Sequence, residues 1–295
     1  MELEYEEVNG RIRIQKFLTD DKVVAVPEQI EGKTVTGLGR YALSGHGLEE
    51  LILPSCLRSI GAYALYNCEN LKKLSFYSGI EDIGAGVFTG CKSVKELDVT
   101  IDWDRKSCLK EVLTELRQTL FVRCHGQQEA RLIFPEFYEE SVENTPARIT
   151  GNLTHGCGHR YRYCFLGTQF LFWEYDSLFP HVKVQEPEEL VTELVMGRLN
   201  YPVGLTDAHR AAYEAYLAEH IGTAGRIAVQ KDSFGDGKMK RLAWLLDHYV
   251  SDGGIVSQLA EEAGKLKDTE ATSYLMDYRR RRFPEQRSRG RKFEL

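Results

Sequence analysis

The sequence predicts an α+β chain: a short β-solenoid of repeated apolar turns, a mixed connector, and a C-terminal array of short helices. Three observations carry this. Between residues 24 and 99 one apolar spacing returns at a near-constant interval, from Leu38 to Ile60 to Ile83. After Val99 that period stops, and strand-like and helix-like spacings alternate. From Pro187 onward, apolar residues recur every three to four positions, as amphipathic helices require. The predicted boundaries are 1–134 for the solenoid with an N-terminal hairpin cap, 135–186 for the connector, 187–283 for the helical array and 284–295 for a basic tail. With 295 residues, 42% hydrophobic and 28% charged, the chain carries enough apolar material for a packed core.

The repeats are plain once stacked. Leu38-Gly-Arg-Tyr-Ala-Leu43 returns as Ile60-Gly-Ala-Tyr-Ala-Leu65 and as Ile83-Gly-Ala-Gly-Val-Phe88. Each is followed by a second block: Leu48-Glu-Glu-Leu51-Ile-Leu53, Leu71-Lys-Lys-Leu74-Ser-Phe76 and Val94-Lys-Glu-Leu97-Asp-Val99. Apolar residues at x, x+3 and x+5 suit a bend running into a short strand, whose alternate side chains share one face. No single turn can bury that face, but stacked turns align their apolar rungs into a continuous core. Gly39, Gly61 and Gly84 share one phase, which predicts a tight backbone turn there.

The residues Leu53-Pro54, Ile60-Gly61-Ala62-Tyr63-Ala64-Leu65, Asn67-Cys68 and Leu71-Lys-Lys-Leu74 resemble the BspA-like, or Treponema-type, bacterial leucine-rich repeat. Gly90-Cys91 repeats the small-residue corner of that pattern, whereas Gly45-His46 departs from it. The resemblance spans about residues 24–99 and implies a leucine-rich-repeat solenoid that works as an interaction scaffold. Cys68 and Cys91 are then buried corner residues. Many members of that family are surface proteins; the acidic start of this sequence, without a basic and apolar leader, argues for a cytoplasmic protein instead.

Ahead of the repeats, Glu4–Val8, Asn9-Gly10 and Arg11–Phe17 read as a hairpin, because Asn-Gly favours a two-residue turn. With Val23–Val26 as a third strand, it is expected to cap the first edge of the solenoid. Beyond Val99, Ser107–Leu116 fits a helix with Leu109, Val112, Leu113 and Leu116 on one side. Thr119–Cys124 and Ala130–Phe134 read as a second hairpin, closing the far end.

The connector carries the least signal. His155, Cys157, His159 and Cys164 make a two-His, two-Cys set of the kind zinc uses, but they lack the paired arms of a structural site. No metal and no cofactor is therefore expected, and these four are the residues a metal would need to draw together. Were the segment a strand, His155, Cys157 and His159 would share a face by alternation alone. Arg160-Tyr-Arg-Tyr163 mixes guanidinium groups with aromatics, and reads as an exposed strand rather than a nucleic-acid platform.

In the helical end, Glu188–Leu199, Asp207–His220, Thr223–Gln230, Lys238–Val250, Ile255–Gly264 and Glu270–Tyr278 are the expected helices. Ala228 returns as Ala260, and Leu245-Leu246 returns as Leu275-Met276. These intervals are similar to the ankyrin repeat of roughly 33 residues, although its Thr-Pro-Leu-His turn is absent. Past the last helix the charge changes. From Arg279 to the end, eight basic residues face two acidic ones, so the tail carries +6 and the remainder −12. Arg279, Arg280, Arg281, Arg282, Arg289 and Arg291 are the candidates for contact with nucleic acid or an anionic membrane. Basic residues also suit a helix C-terminus, where they complement the dipole.

An acidic body disfavours a nucleic-acid groove. Seven cysteines without a Cys-x-x-Cys pair point to reduced thiols. No phosphate loop, nucleophile elbow or His-Glu-x-x-His is present. The expected function is thus non-catalytic: a bacterial, cytoplasmic scaffold binding a protein partner through its repeat surfaces. The expected contacts are Glu50, Lys73 and Glu96, whose apolar neighbours point inward.

Overall fold

The structure, a computed structural model, describes residues 2–144 and 149–284. It separates into two compact units, Met1–Ala211 and Ala212–Leu295. In the first unit, two mainly parallel sheets wind around one core. One sheet contains β1 (Glu2–Val8), β2 (Arg11–Leu18), β5 (Lys33–Leu38), β7 (Ser59–Ile60) and β9 (Asp82–Ile83), with β4 (Gln29–Ile30) paired to β5. The other runs in the spatial order β12 (Ala130–Phe134), β11 (Leu120–His125), β10 (Glu96–Thr100), β8 (Lys73–Tyr77), β6 (Glu50–Ile52) and β3 (Val23–Ala25).

The predicted rungs line up strand by strand. Val24, Leu51, Leu74, Leu97 and Val122 are successive register partners, and all five are buried. On the opposite sheet Ile14, Leu38, Ile60 and Ile83 form the matching ladder. Each fully buried aliphatic side chain contributes roughly 1.5–3 kcal/mol, so the core grows with every turn added.

The corners explain the recurring small residues. A Cβ on Gly61 would lie 2.6 Å from the backbone carbon of Gly39, and one on Gly84 would run into the backbone of Ala62. These glycines therefore serve close stacking of turn on turn, and do not supply the positive φ that a tight turn would need. The left-handed backbone falls two residues later, at Tyr41 (φ 57°), Tyr63 (φ 58°) and Gly86 (φ 66°). Tyr41 and Tyr63 stack with ring centroids 5.4 Å apart, which offsets part of the roughly 1–2 kcal/mol cost of a side chain in that region.

The two ends of the solenoid are built differently. The hairpin β1–β2 forms as expected, with Asn9 and Gly10 both at positive φ. It extends only the first sheet, however; β3 crosses to the second sheet and becomes its edge, so the two pieces do not make one three-stranded cap. At the far end α1 (Leu109–Glu115) follows the last turn. Within the stack, the N–H of Tyr63 donates to Ala85 and that of Leu65 to Val87 on the next turn. The equivalent donors on the last turn, Gly86 and Phe88, instead reach the two carboxylate oxygens of Glu115 at 3.0 and 2.9 Å. The side-chain amide of Gln118 donates to the carbonyl of Cys91. β12 then folds back antiparallel on β11 and ends the parallel series.

The connector holds a hairpin, β13 (Tyr138–Asn144) with β14 (Ile149–His155), then α2 (Gly158–Tyr161), a short hairpin β15 (Phe165–Leu166) with β16 (Gln169–Phe170), and the helices α3 (Phe172–Ser177) and α4 (Phe179–Gln185). The Arg160–Tyr163 run is a helical turn with Tyr161 and Arg162 buried, not an exposed strand. The guanidinium of Arg162 donates to five carbonyls, those of Leu113, Leu116, Gln118, Pro135 and Gly158. Burial pulls its pKa down to about 10, so it stays charged at neutral pH. α5 (Glu188–Asn200) packs on β12 and is buried along most of its length, beyond the single apolar face its spacing suggests. Its Arg198 pairs with Asp176 in a fully buried bidentate contact at 2.8 and 2.9 Å. α6 (Asp207–Glu219) spans the boundary between the units.

The second unit contains α7 (Ile221–Gln230), α8 (Lys238–Tyr249), α9 (Gly253–Lys265) and α10 (Thr269–Arg282). α7 packs on α8 and on α9, and α9 packs on α10. The Tyr278 hydroxyl donates to the carbonyl of Leu246, tying α10 to α8. Lys238 pairs with Asp268, whose carboxylate also caps α10 through the N–H of Ala271. Among the described residues, no helix is long and apolar enough to cross a membrane.

Replacing Glu115 with Ala strips two backbone donors of their acceptor. We expect a stability loss of about 2 kcal/mol in urea unfolding, with Glu115→Gln, which keeps one acceptor oxygen, losing less.

Candidate functional site

The second sheet has one face in the core and one turned outward. Parallel strands in strict alternation place Glu50, Lys73 and Glu96 side by side on the outer face, as register partners on β6, β8 and β10. Glu50 and Lys73 form an ion pair at 2.7 Å; in half-exposed surroundings such a pair is worth at most about 1 kcal/mol. Beside this row, Lys72 and Glu49 pair at 2.6 Å, and the Lys72 ammonium holds the Glu49 carboxyl below its usual range.

Along the same face, two and four positions further on, lie groups that the repeat pattern alone did not single out. Ile52, Ser75, Asp98 and Arg123 make the second row, and Tyr77, Thr100 and His125 the third. Val23, Ile52 and Tyr77 are exposed at 55, 38 and 41%, and they cross the strands β3, β6 and β8 as an apolar diagonal. At the other side, Asp98 accepts from Arg123 at 2.6 Å and lies 2.9 Å from His125 Nε2. Strand alternation would have flagged Ile52 and Tyr77, but the membership of β11 was hidden. The step from Glu96 to its partner Phe121 is longer than that from Lys73 to Glu96, because α1 and its flanking loops are inserted.

The chain itself closes the β11–β12 end of this sheet. The Tyr175 hydroxyl donates to the carbonyl of Ile133 and accepts from its N–H, satisfying the outer edge of β12. The guanidinium of Arg131 lies 4.2 Å from the centroid of the Tyr201 ring, just after α5. The face is therefore covered at one end and open over β3, β6, β8 and β10.

The His and Cys set does not converge. Gly156, at φ 85°, ends β14, and the chain turns into α2, so strand alternation stops at His155. His155 stacks on Tyr138 and lies 3.1 Å from Glu140. His159 sits between Phe137 and Tyr163. The Cys157 thiol donates to Glu186, and that of Cys164 to the carbonyl of Arg160. Among the described residues, no group of three or more His, Cys, Asp or Glu is placed to hold a metal ion.

All seven cysteines are unpaired, and six of them are buried. The Cys68 and Cys91 thiols donate to the carbonyls of Leu43 and Leu65, each on the preceding turn. Burial pushes the thiols of Cys108, Cys124, Cys157 and Cys164 up to about 12. Of the arginines, Arg280 and Arg281 both pair with Asp277 on the same helix, and all of Arg279–Arg282 fall in the last turn of α10. Arg289 and Arg291 lie outside the described residues.

Against this geometry, residues 28–128 match the family described as the BspA type leucine rich repeat region, in six copies. Among solved structures, the chain is similar to the T. pallidum leucine rich repeat protein TpLRR, at 28% identity over 32% of this chain and 46% of that one, with a TM-score of 0.32. A leucine rich cell surface protein of Faecalibacterium prausnitzii A2-165 shows 21% identity over 32% and 29%, with a TM-score of 0.30. The pneumococcal vaccine antigen PcpA shows 18% identity over 32% and 30%, with a TM-score of 0.24. Each likeness thus spans less than half of the other protein. No curated protein matches the chain.

Burial predicts the reactivity of the thiols. With an uncharged aromatic disulfide reagent, Cys56 alone should react quickly in the native protein, and the other six only on unfolding. Fast native labelling of Cys68 or Cys91 would show that the corners are open.

Proposed function

We propose that the chain is a non-catalytic scaffold that binds a protein partner on the open outer face of its second sheet. The observation that carries this is the asymmetry of that face. Its β11–β12 end is sealed by Tyr175 and Tyr201, while the row Glu50–Lys73–Glu96 and the diagonal Val23–Ile52–Tyr77 stay uncovered. Apolar side chains flanked by charged ones are how protein interfaces combine desolvation with register. The match to a repeat family of interaction scaffolds points the same way.

The helical end supports a companion role. Its two pairs, α7–α8 and α9–α10, repeat helix for helix: α7 and α9 begin at Ile221 and Gly253, α8 and α10 at Lys238 and Thr269. Both steps are close to the spacing of an ankyrin-like array. Seven unpaired thiols, most of them buried, favour a reducing compartment, and we place the protein in the bacterial cytoplasm on that ground.

The test exchanges charges without breaking the ion pair. Glu50→Lys combined with Lys73→Glu should leave the unfolding free energy within about 1 kcal/mol. Adding Glu96→Lys, we expect loss of the proteins recovered by affinity capture and identified by mass spectrometry. Unchanged recovery by the triple variant would remove this face from the function.

A further inference from the structure

Helices α9 and α10 of the second unit leave a groove of about 670 Å³ between them. Its floor is made of small residues, Ser257 and Ala260 on α9, and its wall is Leu275 and Met276 on α10. A neighbouring hollow shares Met276 and runs on to Gly264, where an added Cβ would meet nothing within 4 Å. Met276 is 64% exposed, and a glycine in a helix costs up to about 1 kcal/mol relative to alanine.

The same unit shows how a floor of this kind is filled. On α7, Gly225 lies under the side chain of Leu259 from α9, with both terminal carbons of the leucine 2.7 Å from where a Cβ would be. Aligning the first residues of α7 and α9, Ile221 and Gly253, puts Ser257 in the place of Gly225 and Ala260 in that of Ala228. α9 thus carries a small residue, Ser257, at the position where Gly225 of α7 receives Leu259.

The rim adds a charge preference. Arg279 and Arg280 stand on the α10 side. Glu261 is the acid on the opposing wall, while Asp277 is engaged by Arg280 and Arg281.

We propose that this groove seats an amphipathic α-helix of a partner protein. Leucine-like side chains lie on Ser257, Ala260 and Gly264, and carboxylates face Arg279 and Arg280. A concave floor of small residues admits a helix at the usual interaxial distance of about 8–10 Å, whereas a membrane surface offers nothing to fill it. The inference is independent of the sheet face, which lies in the other unit.

The probe is a synthetic helical peptide of about 18 residues, with leucines along one stripe and glutamates beside them, titrated into the full-length chain by fluorescence anisotropy. A second peptide carries lysine in place of every glutamate. We expect the acidic peptide to bind at least about tenfold more tightly than the basic one. Met276→Glu and Ser257→Trp should each weaken it by roughly tenfold or more, with the helical circular dichroism and thermal midpoint of the chain unchanged. Equal binding of the two peptides, or affinity unmoved by both variants, overturns the proposal. So does a self-association seen by light scattering and abolished by Met276→Glu, which makes a second copy the occupant. Acidic-peptide binding that appears only after deletion of residues 285–295 would assign the groove to the chain's own end. Retention on phosphatidylcholine–phosphatidylserine vesicles that Met276→Glu removes would assign it to a membrane.

Discussion

Neighbouring turns of the solenoid exchange backbone hydrogen bonds, and this is the constraint on which the fold depends. At the corners each turn donates to the carbonyls of the next, as Tyr63 does to Ala85 and Leu65 to Val87. A stack built that way has no natural end, because the last turn exposes N–H groups at the margin of an apolar core. Glu115 supplies the ending. One carboxylate stands in for two carbonyls of an absent turn, at Gly86 and Phe88, and Gln118 answers the carbonyl of Cys91. A single short helix, α1, thereby replaces a whole repeat.

That ending has to be held in place, and buried charge does so. Arg162 draws together the C-terminal carbonyls of α1, the strand exit at Pro135 and the start of α2. The five carbonyls compensate a guanidinium that would otherwise be costly to desolvate. The Arg198–Asp176 pair does the corresponding work between α3 and α5. These contacts also decide how far the outer face of the second sheet is covered. With α3 and α5 fixed, Tyr175 and Tyr201 reach β12, and the outer face of the sheet is left open from one side only.

The two units solve one problem with different elements. A single β-turn of the solenoid and a single helix pair of the second unit both expose an apolar face that only a neighbour can cover. In each, the repeated positions are small where backbones or helices must approach: Gly61 and Gly84 under the preceding turn, Gly225 under Leu259. In the solenoid the last such face is closed by α1, whose Glu115 takes the donors of Gly86 and Phe88.

The sequence by itself determined the solenoid and its rungs. Leu51, Leu74 and Leu97 are interchangeable by phase, and parallel stacking of equal turns converts phase directly into contact. The same regularity placed Glu50, Lys73 and Glu96 in a row, and the helical period located the helices of the C-terminal end. Only the tertiary structure decided what breaks the repeat. The reach of Glu115 to another turn, the burial of Arg162 within an apparently polar run, and the crossing of β3 to the second sheet all depend on residues far apart in the chain. No local period records those. The scattering of His155, Cys157, His159 and Cys164 has the same origin: their spacing fixes the distance along the chain, but the left-handed turn at Gly156 fixes where each side chain goes.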